Sequence, residues 1–293
     1  MNIYCPYCDL NFESTKNCPR IVRCGHFYRK SDSKRIQRFH CLNCARRFSR
    51  ATFHPCFRQK KRQKNETLKR MLCSGVSQRR AAKILGLNRK TIVRKFKHLA
   101  VQAKLWLMIE NSLKPKAEIV EFDDLETFEH TKCKPLSVTL AVEHGSRRIL
   151  GFAVSQMPAK GHLARIAYKK YGFRKDFRAQ GRAELFSNIK PLIADRAVLK
   201  SDSNPHYPQD VKRFLPDCSH ITFLGQRGSI TGQGELKKIR FDPLFSLNHT
   251  CAKFRADVNR LVRKTWCTTK DPARLVDHLS IYACFHNRNF AGP

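Results

Sequence analysis

Residues Arg196-Ala197-Val198-Leu199-Lys200-Ser201-Asp202 form a run with an apolar centre that ends in an acid. An earlier run, Ile119-Val120-Glu121-Phe122-Asp123, has the same form. Two β-rich runs lie between them, Leu136 to Val142 and Arg148 to Val154, and the first alternates apolar with polar or small residues. Short runs of this kind, bounded by turn residues, predict β-strands. The two acids are therefore expected where the first and fourth of these strands end.

The remaining elements of the C-terminal two thirds complete a fold class. We predict, in chain order, a helix over 179–193, a short helix over 207–214, a fifth strand over 220–224 and long helices over 244–263 and 271–287. Three consecutive strands followed by alternating helices and strands predict an α/β domain over residues 114–293, with a mixed sheet of ribonuclease H type. In that topology the first and fourth strands are neighbours, so Asp123 and Asp202 would meet.

Asp123 and Asp202 are the candidate catalytic residues. Two adjacent carboxylates repel each other, and a divalent cation removes that repulsion. Mg²⁺ takes oxygen ligands from one or two carboxylates together with phosphate and water, and Mn²⁺ suits similar ligands. We therefore predict a Mg²⁺ or Mn²⁺ site suited to phosphodiester chemistry. A single Asp at a strand end is more often a turn residue, and Asp124 is an alternative to Asp123, although strand alternation favours Asp123.

Two Cys-x-x-Cys pairs near the start of the chain indicate a structural metal site. Cys5-Pro6-Tyr7-Cys8 and Cys41-Leu42-Asn43-Cys44 are separated by 32 residues. Each turn directs two thiolates to one point, and two such turns complete a tetrahedral zinc site. Short strands at 21–23 and 37–40, with a turn at Cys24-Gly25, would make residues 1–57 a zinc ribbon that depends on its metal for stability.

Other ligand sets remain open at this stage. Cys18, Cys24 and Cys56 could substitute as ligands, but none belongs to a Cys-x-x-Cys pair. His26 and His40 are more typical of ordinary ribbon residues. A redox role would need one pair beside a βαβ pattern, which the flanking sequence lacks.

Residues 58–113 are expected to hold a basic linker, over 58–64, and a helix-turn-helix. Helices would begin near Glu66, after Ser77 and after Asn88, with Gly86 in the tight turn. The second helix would bury Ala81, Ala82, Ile84 and Leu85, and the third would bury Ile92, Phe96 and Leu99. Residues predicted to contact DNA from the third helix are Asn88, Arg89, Lys90, Thr91, Arg94 and Lys95. An ordinary amphipathic hairpin is the alternative, but the cationic exposed side favours the major groove.

The charge of the chain points to nucleic acid. There are 58 Lys and Arg against 23 Asp and Glu, which gives a formal net charge of +35. Cations of this number release counterions from phosphates and favour binding to any nucleic acid. No run approaches the roughly 20 apolar residues that span a bilayer. Because the N-terminus has no apolar signal segment, the thirteen cysteines are expected in a reducing cytosol.

The order of these parts resembles the bacterial insertion-sequence transposases of the first-numbered insertion-sequence family and their zinc-ribbon sister group. The stretches that carry the resemblance are Cys5-Pro6-Tyr7-Cys8, Gln37 to Cys44, Gly75 to Ala82, Glu121 to Asp124, Ser201 to Tyr207 and Arg260 to Lys264. The resemblance implies an Asp-Asp-Glu site. It places the third residue at Asn248, with the phosphate-binding Arg255 seven positions later, and some members of the sister group use Asn there.

Asn248 departs from the Asp-Asp-Glu pattern. An amide oxygen can ligate Mg²⁺, but it adds no negative charge and cannot act as a base. Asn248 could instead be a helix cap, and Glu235 or Asp242 could substitute as the third ligand.

The function implied by the resemblance is that of a DNA transposase. It would bind the terminal inverted repeats of its element, cleave and join double-stranded DNA with Mg²⁺ or Mn²⁺, and act as a homodimer or larger assembly in the bacterial cytoplasm and nucleoid. The alternative is a sequence-specific DNA-binding regulator with a degenerate catalytic core.

Overall fold

The structure, a computed structural model, describes residues 3–8, 20–30, 32–224, 242–262 and 266–292. The chain divides into two compact units, Met1–Asn65 and Glu66–Pro293. Among the described helices, none combines the length and the apolar character needed to cross a bilayer.

The smaller unit is built on three antiparallel strands, β1 (Ile21–Arg29), β2 (Lys34–Cys41) and β3 (Arg47–Ser49), in the order β1-β2-β3. The turn predicted at Cys24-Gly25 is wrong. The pairing of β1 with β2 is only interrupted there and resumes at His26, and Gly25 absorbs the irregularity with a φ of +74°. The buried cluster holds Cys5, Phe39, Cys41 and Phe48, which is too small a core to stabilise the unit alone.

Three helices open the larger unit: α1 (Asn65–Leu72), α2 (Gln78–Leu85) and α3 (Arg89–Leu113). The predicted caps are confirmed. The Ser77 hydroxyl accepts a hydrogen bond from the backbone of Arg80, and the Asn88 side chain accepts one from the backbone of Lys90. Gly86 ends α2 with a φ of 62°, the left-handed conformation that glycine adopts without strain.

Two predictions of side-chain direction in these helices are wrong. Ile84, expected to be buried, is 62% exposed, because it lies outside the arc that Ala81, Ala82 and Leu85 share on α2. Lys95, expected to face DNA, is 4% exposed. It follows Ile92 by three positions and precedes Leu99 by four, so the helical period places it on the buried face.

The predicted boundary at residues 113 and 114 does not separate compact units. Leu68, Ala81 and Phe96, one from each of the first three helices, share one hydrophobic cluster with Leu140 and Leu279 from the rest of the larger unit. A helical bundle of this size gains its stability from that shared core.

The centre of the larger unit is a mixed five-stranded sheet with the order β6-β5-β4-β7-β8. Its strands are β4 (Ala117–Phe128), β5 (Pro135–Glu143), β6 (Ile149–Gln156), β7 (Ile193–Asp202) and β8 (Ser219–Phe223). The first three strands pair antiparallel, whereas β7 runs parallel to both β4 and β8. The predicted adjacency of the first and fourth strands is therefore confirmed.

Helices cover both faces of this sheet. They are α4 (Leu163–Tyr171), α5 (Arg178–Ile189), α6 (Tyr207–Phe214), α7 (Phe245–Asp257) and α8 (Pro272–Asn289). Phe122 packs with Phe186 and Tyr207 on one side, and Leu140 clusters with Leu247 on the other. Helix α4 was not predicted, and α7 ends six residues before the predicted Arg263, which lies outside the described residues. The predicted mixed α/β class is confirmed.

Candidate metal centre and active site

Four cysteines of the smaller unit form a compact cluster. Their Sγ atoms all lie within 4.8 Å of one another, and the Cys5–Cys44 and Cys8–Cys41 pairs are 3.6 and 3.5 Å apart. Zinc–thiolate bonds of about 2.3 Å in a tetrahedron require sulfur–sulfur distances of about 3.8 Å. The four side chains therefore could hold a metal ion such as zinc.

The backbone of the second knuckle prepares Cys41 for this role. Burial raises the pKa of Cys41, but the backbone N–H groups of Cys44 and Asn43, together with the neighbouring thiols of Cys8 and Cys44, outweigh burial and bring the pKa to about 7. These donors stabilise the thiolate, which is the form that binds metal. Cys24 and Cys56 lie outside the cluster, and the alternative ligand Cys18 lies outside the described residues.

The register of two parallel strands brings Asp123 and Asp202 together. Val120 pairs with Leu199 and Glu121 with Lys200, and the same register continued for two residues sets Asp123 opposite Asp202. Asp202 ends β7 as predicted, but Asp123 does not end β4. The antiparallel pairing of β4 with β5 continues to Phe128, and Asp123 lies two residues beyond the last parallel pair, Glu121 with Lys200.

Asp123 lies in a protected environment beside a second acid. Burial, together with the charge of Asp202, raises its pKa to about 6. The Tyr207 hydroxyl donates a hydrogen bond to Asp123 Oδ1 at 3.0 Å, and the backbone N–H of Asp124 donates to the same oxygen. An acid that resists ionisation beside another acid is typical of a functional carboxylate pair.

Asp124 occupies a different environment from Asp123. Its carboxylate accepts a hydrogen bond from Thr139 and lies 3.7 Å from the buried guanidinium of Arg182, which also pairs with Asp210. These partners neutralise Asp124 within the protein. Of the two neighbouring acids, Asp123 is therefore the better candidate to bind a metal ion.

Glu121, which the sequence reasoning missed, positions the helix next to the acidic pair. Its side chain is fully buried, and one oxygen accepts the backbone N–H of Leu247, in the first turn of α7, at 2.8 Å. The other oxygen is hydrogen-bonded with His144, and the neighbouring Gly145 N–H donates to Ser246. The signal was present: Glu121 is an acid in an apolar run, two positions before Asp123 and so on the same side of the strand.

Asn248 lies on α7, and its side chain is exposed. It is the fourth residue of the helix, so the reading of Asn248 as a cap is wrong; Leu244 occupies the cap position. Its amide donates a hydrogen bond to Asp242 at 2.9 Å. Within the described residues Asn248 has no hydrogen bond to Asp123 or Asp202, and Glu235 lies outside those residues.

The helical period nevertheless sets Asn248 on the side of α7 that approaches the pair. Cys251, three positions later, is close enough that the charge of Asp123, after the larger effect of burial, raises the pKa of the thiol to about 12. Arg255 lies a further turn along and is exposed. Positions 248, 251 and 255 therefore share one side of the helix.

The predicted DNA-contacting residues of α3 are, apart from Lys95, accessible. Asn88, Arg89, Lys90 and Arg94 are exposed, and Thr91 is partly exposed. The Asn88 side chain is engaged as the cap of the helix.

No known protein-family model matches this chain, and no curated protein is significantly similar to it.

Proposed function

We propose that this protein is a DNA transposase whose larger unit cleaves and joins DNA strands with a divalent metal ion. The observation that carries the proposal is the register that sets Asp123 opposite Asp202, combined with the raised pKa of Asp123. Carboxylates that are held together against their own repulsion are suited to a cation.

The donor set fits Mg²⁺ or Mn²⁺. Asp123 and Asp202 are partly exposed and offer the hard oxygen ligands that these ions prefer. Because they lie on neighbouring strands, they could share one ion or hold two. When bound, such an ion supplies Lewis-acid chemistry and lowers the pKa of water. Asp123 and Asp202 would hold the ion, Tyr207 would orient Asp123 through its hydrogen bond, and Asn248 would add a neutral and weaker ligand.

The fold supports the same proposal. The strand order, with three antiparallel strands and two parallel ones, is the order expected of a ribonuclease H-like core. An open cavity of about 530 Å³ beside Asp202 is lined by Lys160, Arg178 and the loop over 203–206, which leaves room for a phosphodiester. Arg255 would hold phosphates beside the pair.

DNA recognition would come from the first hundred residues. We propose that α2 and α3 act as a helix-turn-helix, that Arg89, Lys90, Thr91 and Arg94 contact the terminal repeats, and that the zinc ribbon also contributes to DNA binding. Two element ends must be paired before joining, so we propose a homodimer or larger assembly on double-stranded DNA in the bacterial cytoplasm.

The test is a strand-transfer assay with the DNA ends that flank the gene. Zinc-loaded protein with Mg²⁺ is expected to give joined product, and Asp123→Ala or Asp202→Ala is expected to lower the rate at least about 100-fold. Asp195→Ala is the matched control, because its carboxylate lies on the same strand β7 and is 93% exposed. DNA binding should be unchanged in all three variants. Normal transfer by Asp202→Ala would contradict the assignment.

A DNA-binding regulator is the second candidate. It is favoured by Asn248, because this side chain carries no charge and its amide N–H donates a hydrogen bond to Asp242. Among the residues that the structure describes, it makes no hydrogen bond to Asp123 or Asp202. A regulator would bind the repeats with neither cleavage nor joining in Mg²⁺ or Mn²⁺.

A further inference from the structure

A cationic cleft lies away from the acidic pair. Its volume is about 860 Å³, within the range of ligand sites in proteins. One wall is the start of α2 with Arg89 of α3, and the other comes from residues 259–262 and 266–270. We call it the Trp266 cleft.

The lining of the Trp266 cleft has five cations and no acid. The cations are Arg79, Arg80, Arg89, Arg260 and Lys270. None of them forms an ion pair with a described acid. The two acids whose charge acts on Arg260 are paired with other cations: Asp271 with Arg274, and Asp277 with Arg274 and Lys104. Cations gathered without counter-ions favour a polyanionic ligand such as a phosphate chain.

Trp266 adds a flat apolar surface to this charge. Its side chain is 80% exposed, and it stacks on no other described ring. Tryptophan usually buries most of its large area. In single-strand-binding proteins an aromatic side chain beside cations is where an unpaired base stacks.

The cleft also holds an unsatisfied polar atom. His278 is 3% exposed, and its Nε2 lies 2.9 Å from the Leu72 carbonyl, which makes Nε2 the donor. Nδ1 is then an acceptor, and it has no hydrogen-bond partner among the described residues. Buried polar atoms are nearly always paired. His278 is therefore a lining residue of the cleft with a polar atom that the described residues leave unpaired.

We infer that the Trp266 cleft binds a single strand of nucleic acid. Arg79, Arg80 and Lys270 contact its phosphates, and an unpaired base stacks on Trp266. A duplex fits less well, because its bases are already stacked on one another and cannot cover the indole. The inference does not depend on transposase chemistry, since Asp123, Asp202 and Asn248 do not line the cleft; the cleft does share Arg89 with the proposed helix-turn-helix surface.

Tryptophan fluorescence tests the inference directly. The chain has two tryptophans, so Trp106→Phe leaves Trp266 as the only reporter. The full-length, zinc-loaded variant is titrated with a ten-nucleotide oligothymidylate, its RNA counterpart and a ten-base-pair duplex, without Mg²⁺. Either single strand is expected to quench Trp266 strongly, and the duplex is expected to quench it little.

Surface variants then separate the two parts of the cleft. Arg79→Ala with Arg80→Ala is expected to weaken single-strand binding at least about tenfold and to reduce the salt dependence by about 1.4 in slope. Trp266→Ala is expected to lose about 5- to 100-fold, measured by anisotropy of a labelled strand. Lys212→Ala with Arg213→Ala, two exposed cations on α6, is the control for loss of charge and should bind nearly as tightly as the parent.

Three results would overturn the inference. They are equal quenching by duplex and single strand, no quenching by a strand that binds, and binding that survives loss of Arg79 and Arg80 as well as it survives the control. All readouts are taken without Mg²⁺ or Mn²⁺, so an inactive Asp202→Ala protein should give the same quenching as the parent. A protein that gives no strand-transfer product can therefore be distinguished from one whose Trp266 cleft does not bind single strands.

Discussion

The two candidate metal sites of this chain are built in opposite ways. The four-cysteine cluster is closed, with sulfur atoms already near tetrahedral spacing and backbone donors on Cys41. The acidic pair is open: two carboxylates meet across parallel strands, and Asn248, expected as the third ligand, bonds to Asp242 instead. A closed set of four ligands is typical of a structural metal site, whereas a site with open coordination positions is typical of a catalytic one.

This difference has an energetic consequence. If the closed site holds a metal ion, removing one of its ligands should unfold the smaller unit, because the hydrophobic core of that unit is small. Removing a charge from the open site should relieve repulsion and stabilise the fold, at the expense of activity. Opposite responses to the loss of a ligand are the signature of the two roles.

The largest expected effect is at the cysteine cluster. Cys41→Ser, or removal of zinc with a chelator, is expected to unfold the smaller unit while the larger unit keeps its own unfolding transition. Zinc content and hydrogen exchange measure the two responses. Cys24→Ser is the control and should retain one zinc ion per chain. A zinc-free Cys41→Ser protein with protected amides in β2 would contradict a structural role.

The next largest effect is a change in stability at the acidic pair, measured in the absence of Mg²⁺ and Mn²⁺. Asp123→Asn is expected to increase the free energy of unfolding at pH 7 by up to about 3 kcal/mol, since the pKa of Asp123 is about 6 against an ordinary 3.8. The folded state binds this proton more tightly, so the parent loses stability as the pH rises from about 4 to about 6. Below about pH 4 the two proteins should converge.

Urea denaturation of the zinc-loaded proteins across that pH range measures the difference. Asp124→Asn is the matched comparison, and it is expected to lose about 1–3 kcal/mol because it weakens the contact with the buried Arg182. A destabilising Asp123→Asn at pH 7 would show that the pair is not under repulsion.

A smaller effect is expected at Glu121, which lies near the acidic pair on β4 and bonds to the first turn of α7. Glu121→Gln should lower the free energy of unfolding by about 1–3 kcal/mol, because it removes a charge that accepts the Leu247 N–H and bonds to His144. Amide exchange at Leu247 should accelerate more than exchange at the end of α7. Uniform acceleration along the helix would mean that Glu121 does not hold its first turn.

The smallest effect tests the third ligand. Asn248→Asp, combined with Asp242→Asn to avoid repulsion, is expected to tighten Mn²⁺ binding about three- to tenfold, since affinity increases with ligand charge. Asp242→Asn alone is the control. If the double variant binds Mn²⁺ no better than the control, then Asn248 takes no part in the site.

The features that the sequence predicted correctly are mostly those formed by residues close together in the chain. The Cys-x-x-Cys pairs and the caps at Ser77 and Asn88 depend on residues a few positions apart, and the structure confirms the cluster and the caps. The meeting of Asp123 with Asp202 required only a strand order that the pattern of elements already indicated.

The errors arose where the partner is distant in sequence. Glu121 meets the start of α7, 126 residues later, and no local pattern reports that contact. Lys95 was assigned from its charge, but α3 is covered on that side by the shared core of the larger unit. The Asn248–Asp242 bond likewise depends on how the chain enters α7, which spacing alone does not describe.

The measurement that tests the central claim most directly is Mn²⁺ binding to the zinc-loaded, full-length protein, followed by electron paramagnetic resonance. The parent should bind Mn²⁺, Asp123→Asn and Asp202→Asn should each weaken binding at least about tenfold, and Asp195→Asn should leave it unchanged. Equal Mn²⁺ binding by the parent and by the Asp123→Asn, Asp202→Asn double variant would contradict a metal site at this pair, and with it the proposed catalytic role.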